Sequence, residues 1–452
     1  MAGKRVHFLT LGCPKNQVDA ELMTGVLVRS GHELVLDPYA ADVLVVNTCA
    51  FIGPAKEESI DAILEAMRVK AARGGRRLVV TGCLAQRYAD DLVESMPEVD
   101  VFVGTGDLTR IAEAVEAPPA ARPVVYRGAQ HVLPRHEVAP RVRAGTWWSA
   151  YLKVSEGCDH TCSFCIIPKI RGRHESRPLD DLLAEATALA AEGTLELNLI
   201  AQDLTAYGRD LAGDVSLARL LRALAVRVPH LRWLRLLYAY PSSVTDELLE
   251  VMATEPAVCR YLDMPLQHVS DHMLRAMRRE RSGDALRALV ARIRAAVPGV
   301  ALRSSFIVGF PGETDDDVRE LCDFLEAADF ERVGVFEYSK EENTHAATLP
   351  GHLPGRVKRA RRELVMETQA RVAARLARAQ VGREVDVLIE EETPDGGLIG
   401  RTATQAPEID GTILVRGQAS PGDLVRVRVT DADVYDLRGT VLSAVDTVEA
   451  TP

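Results

Sequence analysis

Three short apolar runs open the chain, "VHFLTL", "DVLVVN" and "RLVVTG", and each is followed by a stretch with helical periodicity. The runs are too short for helices and rich in Val and Leu, the pattern of buried parallel strands. The clearest helical stretch places Ile60, Ile63, Leu64 and Met67 at i, i+3, i+4 and i+7. This alternation predicts a parallel α/β sheet with right-handed crossovers, with a further strand at "VDVFVG", 99–104. The same logic returns from 146 to about 350, in "AYLKVS", "LELNLIA", "LRWLRLLYA", "RYLDMPL", "LRSSFIVG" and "RVGVFEYS", with helices such as 178–192 and 283–297 between them. Six such units predict a partial (β/α) barrel. From 383 to 447 short alternating strands are split by Gly, Pro and Asp turns, which predicts a small all-β barrel.

The expected fold is therefore α/β with three units: an α/β domain over 1–118, a Pro-, Ala- and Arg-rich linker over 119–145, a partial barrel over 146–378, and a β-barrel over 379–447. The basic helical stretch 355–383 suits a solvated linker helix and a docked helix equally. A chain of 452 residues is long enough for about three domains, each with a real core.

Charge removes one class of function. The net charge is −11, so the chain carries no strong nucleic-acid footprint. Nor does any run approach the roughly 18 apolar residues of a membrane span. The apolar run Val6–Leu11 is shorter than a signal-peptide core. A cytoplasmic, reducing compartment is expected, in which clustered cysteines bind metal or do chemistry. No Walker motif and no nucleophile elbow is present.

Of the eight cysteines, Cys158, Cys162 and Cys165 share one short loop after the first candidate barrel strand, where active sites of such barrels sit. Thiolates suit zinc or iron–sulfur clusters. Structural zinc asks for four closed ligands, and here there are three cysteines without a second pair. His160 and His174 are candidate fourth ligands, although His160 reads better as a solvated loop histidine. Three cysteines on a four-iron cluster leave one iron open. Cys13, Cys49 and Cys83 stand 36 and 34 residues apart, each just after an apolar run, in "FLTLGC", "LVVNTC" and "LVVTGC". One βα unit is about 30 residues or more, so the three repeat one position at the carboxyl edge of a parallel sheet. The reading is a second cluster. Cys259 and Cys322 are expected in the core, and Trp147 and Trp148 in packing.

The stretch Cys158-Asp-His-Thr-Cys162-Ser-Phe-Cys165 resembles the signature of radical S-adenosylmethionine (radical SAM) enzymes. "LGCPKNQVDAE", "VVNTCAFI" and "VTGCLAQR" extend the resemblance to the radical SAM methylthiotransferases over nearly the whole chain. It implies a TRAM-like C-terminal barrel and two 4Fe-4S clusters with SAM as cofactor. Cys158, Cys162 and Cys165 would be the catalytic ligands of the SAM-cleaving cluster, with Phe164, Gln202 and Ser305 as cofactor contacts. Cys13, Cys49 and Cys83 would hold the sulfur-donating cluster. A reductase and a sulfur source would be partners. An unactivated C–H bond cannot be broken by a general base, and the radical supplied by the cofactor meets that need.

The family modifies either an adenosine of tRNA or one aspartate, at its β-carbon, in the twelfth small-subunit ribosomal protein. "GCPKN", "YSKEENTHA" (338–346) and "APEIDG" (406–411) resemble the ribosomal-protein branch, whose substrate is met free or on the ribosome. Asn343 stands where that branch has Gly, and Asn is among the residues that tolerate a left-handed backbone; Leu204 replaces a usual Thr. Charge points the same way: residues 380–447 hold six basic and thirteen acidic residues, a net of −7. An RNA-binding barrel should be basic, whereas an acidic one suits a basic protein partner. The alternatives are the tRNA enzyme and a non-enzymatic iron–sulfur protein attached to the ribosome. Asp263, Gln267 and His268 end a barrel strand, either as pocket lining or as a cap on the barrel.

Overall fold

The computed structural model describes residues 3–128, 134–136, 141–279 and 282–445. Its first sheet is six-stranded and parallel. The strands are β1 (Arg5–Thr10), β2 (Glu33–Leu34), β3 (Val43–Thr48), β4 (Arg77–Gly82), β5 (Val101–Val103) and β6 (Val124–Tyr126), in the order β2-β1-β3-β4-β5-β6. All six residues of β3 are buried because helices cover both faces of the sheet. On one face Val6, Val43 and Val45 pack against Leu22, Leu27, Ile111 and Val115. On the other, Leu44, Val46 and Val80 pack against Ile63, Val69, Leu84 and Leu92. The β6 edge strand comes from the stretch whose composition reads as linker. Three apolar residues among prolines and alanines suffice to extend an open sheet edge.

The second sheet runs β7 (Ser149–Lys153), β10 (Glu196–Ile200), β11 (Trp233–Leu236), β12 (Val258–Asp263), β13 (Ala301–Val308) and β14 (Arg332–Glu337), all parallel and adjacent in that order. It is the expected partial barrel. The short pair β8 (Ser155–Glu156) and β9 (Glu175–Ser176) closes the loop that carries Cys158, Cys162 and Cys165. The third unit is a closed barrel of β15 (Glu384–Glu392), β16 (Leu398–Thr402), β17 (Ile413–Arg416), β18 (Leu424–Ala432) and β19 (Leu437–Ala444).

The helix Gly355–Arg378 is docked rather than solvated. It buries Val365, Val372, Ala373 and Ala377, Gln369 donates to the Phe330 carbonyl at 2.8 Å, and Arg361 reaches Glu313 at 2.8 Å and Asp315 at 2.7 Å. The three units also share one core. Tyr151, Ile200, Trp233, Leu237 and Tyr261 of the partial barrel meet Val18 from the helix Pro14–Arg29, and Leu388, Ala406 and Leu424 from the third unit.

Candidate functional site

The first sheet reverses its strand order between β1 and β3, and open α/β sheets bind ligands in the crevice at such a point. Cys13 caps the helix that follows β1, Cys49 follows β3, and Cys83 opens the helix that follows β4. The three thiols lie within electrostatic reach of one another. Two glycines make the turns possible. Gly12 has φ +101°, and a Cβ there would stand 2.9 Å from Cβ of Cys49. Gly82 has φ +94°, and a Cβ there would meet the Thr48 carbonyl at 2.6 Å. Asn16 staples the loops, donating to the carbonyls of Leu11 and Thr48 at 3.0 Å each. Burial pushes the Cys83 thiol up to about 12, with Arg171 partly opposing it, and it also raises Cys49.

Cys158, Cys162 and Cys165 sit together at the carboxyl end of the partial barrel. Burial pushes Cys158 up to about 11 and Cys165 up to about 12. Arg279 donates to the Cys162 sulfur at 3.5 Å, and its guanidinium lies 4.2 Å over the Tyr240 ring. His160 is no solvated loop residue, contrary to the sequence reading: it stacks on Tyr240 at 3.6 Å, and its Nε2 is 2.7 Å from the buried carboxylate of Asp203. It therefore braces the loop from within. His174 bonds Ser176 at 3.0 Å and lies 3.5 Å from Asp210, so neither histidine is arranged as a fourth ligand.

The two triads are joined through a buried polar seam. Arg171, on the short helix after the second triad, donates to the Cys83 sulfur at 3.4 Å and to Asn16 at 2.5 Å, and pairs with Asp19 at 2.7 Å. Lys153 pairs with Asp19 and, at 2.8 Å, with Glu156. A second link runs through the end of β11. The Tyr240 ring faces His160 and Arg279, while the Tyr238 ring, on a backbone with φ +68°, faces the Lys15 ammonium at 2.8 Å. Burial lowers the Lys15 ammonium to about 8, against the pull of the Cys13 and Asp263 charges. Arg171, Tyr238 and Arg279 were not singled out from the sequence, and Lys15 and Asn16 entered only as part of the segment "GCPKN". Only Lys15 and Asn16 had a local signal, their place directly after Cys13.

The remaining candidates divide. Gln202 lies at the end of β10 and donates to Glu156 at 2.5 Å, while its own carbonyl oxygen is buried with no partner among the described residues. Ser305 lies within β13 beside Gly334, and its carbonyl accepts from the Gln267 amide at 2.8 Å. Phe164 packs with Met273, Met277, Phe310 and Tyr338 in a small apolar cluster. Asp263 pairs with Arg303 at 2.8 Å and accepts from the Tyr238 amide, placing it beside the seam. Gln267 and His268 are barrel-end structure: Gln267, at φ +73°, bridges to β13, and fully buried His268 accepts from the amides of Val269 and Ser270. Cys259 is buried beside Arg235, Cys322 is half-buried against the main core, and Trp148 is buried with Trp147 edge-on to it.

No three described His, Cys, Asp or Glu side chains converge as a site for a single metal ion. A cluster spreads its thiolates farther apart, one to each iron. All six triad cysteines are free thiols, and each triad has a guanidinium against one sulfur, which suits thiolate held by a cluster. Loading would displace the protons that burial holds on these thiols.

Residues 5–104 match the family described as Uncharacterized protein family UPF0004, residues 152–325 the Radical SAM superfamily, and residues 381–442 the TRAM domain. The chain is 53% identical to "Ribosomal protein uS12 methylthiotransferase RimO" of Anaeromyxobacter sp. (strain Fw109-5), over 98% of this chain and 94% of the relative. The protein of that name from Geobacter sulfurreducens is 48% identical, over 98% and 99%. Among solved structures, the radical SAM methyltransferase TsrM from Kitasatospora setae, with cobalamin and a [4Fe-4S] cluster bound, is similar at a TM-score of 0.53 and 21% identity, over 74% of this chain and 75% of that one. That likeness concerns the fold.

Proposed function

Because the chain belongs to the family of ribosomal protein uS12 methylthiotransferases, we propose that it replaces a hydrogen on the β-carbon of one aspartate of uS12 with a methylthio group. It is a radical SAM transferase that uses SAM and at least one 4Fe-4S cluster. The observation that carries the finer reading is the pair of cysteine triads joined by Arg171 and by the Tyr238–Tyr240 strand end. Cys158, Cys162 and Cys165 hold one cluster, and Cys13, Cys49 and Cys83 hold a second, which carries the sulfur. Cys158, Cys162 and Cys165 would hold the cluster whose chemistry, when bound, would be one-electron reductive cleavage of SAM.

The chain's own residues keep the two halves in register. Arg171 and Lys153, neutralised by Asp19 and Glu156, lock the helix after Cys13 to the loop after Cys165. Gln202 is held by its donation to Glu156, and its carbonyl oxygen, without a partner among the described residues, suits a donor on SAM. Ser305 and Phe164 are weaker contacts: one is half-buried in a strand and the other is committed to packing. A reductase supplies the electron, and a separate sulfur source reloads the second cluster.

The acidic third unit supports a protein substrate. Of its six arginines, Arg401, Arg426, Arg428 and Arg438 are tied to carboxylates, while Glu391, Glu392, Asp395, Glu408, Asp423 and Asp433 are exposed. Such a surface repels phosphate and attracts a basic protein. No described helix is long and apolar enough to cross a membrane, and the proposed substrate places the protein with the ribosomes of the cytoplasm. The test is mass spectrometry of uS12 and of tRNA from a deletion strain. Loss of the methylthio group from the uS12 aspartate is expected; loss from a tRNA base with uS12 unchanged would overturn the reading.

Anaerobically reconstituted protein is expected to bind roughly eight irons per chain, and about four would mean a single cluster. Gly82→Ala forces a side chain against the Thr48 carbonyl at a left-handed position and so displaces Cys49. It is expected to cost roughly 1–3 kcal/mol in stability and to reduce iron toward about four per chain. Iron analysis beside thermal unfolding checks both effects.

A further inference from the structure

We propose that Lys15 is the residue that recognises the substrate's side-chain carboxylate, holding it in the gap between the two cysteine triads. The inference rests on the proposed methylthiolation of an aspartate. The Lys15 ammonium lies within reach of the Cys13 and Asp263 charges but pairs directly with neither. Lys15 is only 7% exposed, its ammonium lies over the Tyr238 ring, and it makes no hydrogen bond or ion pair with any described residue. The other cations of the seam are taken: Lys153 and Arg171 by Asp19 and Glu156, Arg303 by Asp263, and Arg279 by the Pro265 carbonyl and the Tyr240 ring. A buried cation without a partner is costly, and a ring face offsets only part of that cost. An incoming carboxylate would complete the site.

Position gives the second argument. Lys15 lies two residues from Cys13 of one triad. Its ammonium rests on Tyr238, two residues from the Tyr240 ring, which touches His160 in the loop of the other triad and Arg279, the donor to Cys162. An aspartate whose β-carbon is to lose hydrogen to one side and gain sulfur from the other must place that carbon in this gap. Its carboxylate is bonded to the same carbon, so a cation that fixes the carboxylate also fixes the carbon. Asp263, the acid closest to this role, is engaged by Arg303 and leaves the ammonium to the substrate. Asparagine would offer no charge to pair, so Lys15 would also set the choice of aspartate.

The test measures binding of uS12, and of uS12 with the target Asp replaced by Asn, to the reconstituted full-length enzyme. Wild type is expected to prefer the Asp protein by roughly ten- to a hundredfold, the range of a charge-assisted hydrogen bond. Lys15→Met should reduce the preference to within about twofold, and Lys15→Arg should restore part of it. Iron content shows whether the Cys13 loop has folded, with Lys15→Gln taking the place of the Met variant if that variant loses iron. Equal binding of both proteins by wild type, or a full preference kept by Lys15→Met, overturns the assignment. So does an equal loss for both proteins in the variant, which would mean a structural lysine. If wild type binds but never methylthiolates uS12, the substrate reading itself has failed. If it methylthiolates uS12 while the discrimination ignores Lys15, only this assignment has.

Discussion

Cys158→Ala is expected to abolish reductive cleavage of SAM to 5′-deoxyadenosine, whereas Cys13→Ala should keep much of that cleavage and abolish sulfur insertion into uS12. The asymmetry follows from where each thiol stands. Cys158 belongs to the loop closed by the β8–β9 pair at the barrel mouth, and no other described cysteine outside that loop can replace it there. Cys13 stands at the head of a helix on the other sheet, and the contacts that brace the Cys158 loop do not pass through it. His160 with Asp203 and Tyr240, and Arg279 with Cys162, remain in place when Cys13 is lost. Cys83→Ala should damage SAM cleavage more than Cys13→Ala, because Arg171 links the Cys83 sulfur to the helix that follows Cys165. The assays are 5′-deoxyadenosine by chromatography and modified uS12 by mass spectrometry, both anaerobic. Matching losses in both assays for Cys13→Ala would mean that the triads do not divide the labour as proposed.

The two triads were legible in the sequence for different reasons. Cys158, Cys162 and Cys165 are local, so spacing alone brought them together. Cys13, Cys49 and Cys83 are far apart, but a parallel sheet puts every strand end at one edge, and the repeat of about one βα unit disclosed the shared position. What could not be read is what joins the triads. Arg171 reaches Cys83 across 88 positions, and Lys153 reaches Asp19 across 134, because two separately legible units dock in a way no periodicity encodes.

The branch-like segments carry a related lesson. In 338–346, Glu341 pairs with Lys56 at 2.9 Å and Arg87 at 2.8 Å, and Glu342 accepts from Tyr88 at 2.9 Å. Asp410 of "APEIDG" accepts from the Tyr261 hydroxyl at 2.8 Å. Both segments are joints between units, so whatever they contribute to substrate choice acts through how the units are seated. Asn343 does take the left-handed backbone, at φ +63°, as its side chain permits.

The largest effect on stability is expected at such a joint, from Glu196→Ala. Glu196 opens β10 and is fully buried between Arg235, also fully buried, and Arg401 of the third unit, 2% exposed. Its carboxylate takes 2.9 Å contacts from Arg235 and a 2.7 Å bond from Arg401, and Ser149 donates at 2.8 Å. Removing it strands two guanidiniums in the interior, which costs roughly 3–5 kcal/mol. Glu390 still faces Arg401, so Arg235 bears most of the loss. Acid should reveal the same joint. Burial by itself would raise the Glu196 carboxyl, but Arg401 and then Arg235 outweigh it and hold it at about 2. An unfolded glutamate titrates near 4.3, so the folded value is the lower one. Its contribution is complete above about pH 4.5 and is lost as pH falls from there through about 2. Denaturant unfolding of Glu196→Gln beside wild type isolates this group from the other carboxylates, since only the difference between the two curves counts. That difference should be large at pH 7 and shrink as pH falls toward 2, and an equal gap at every pH would show that the joint is not held by this charge.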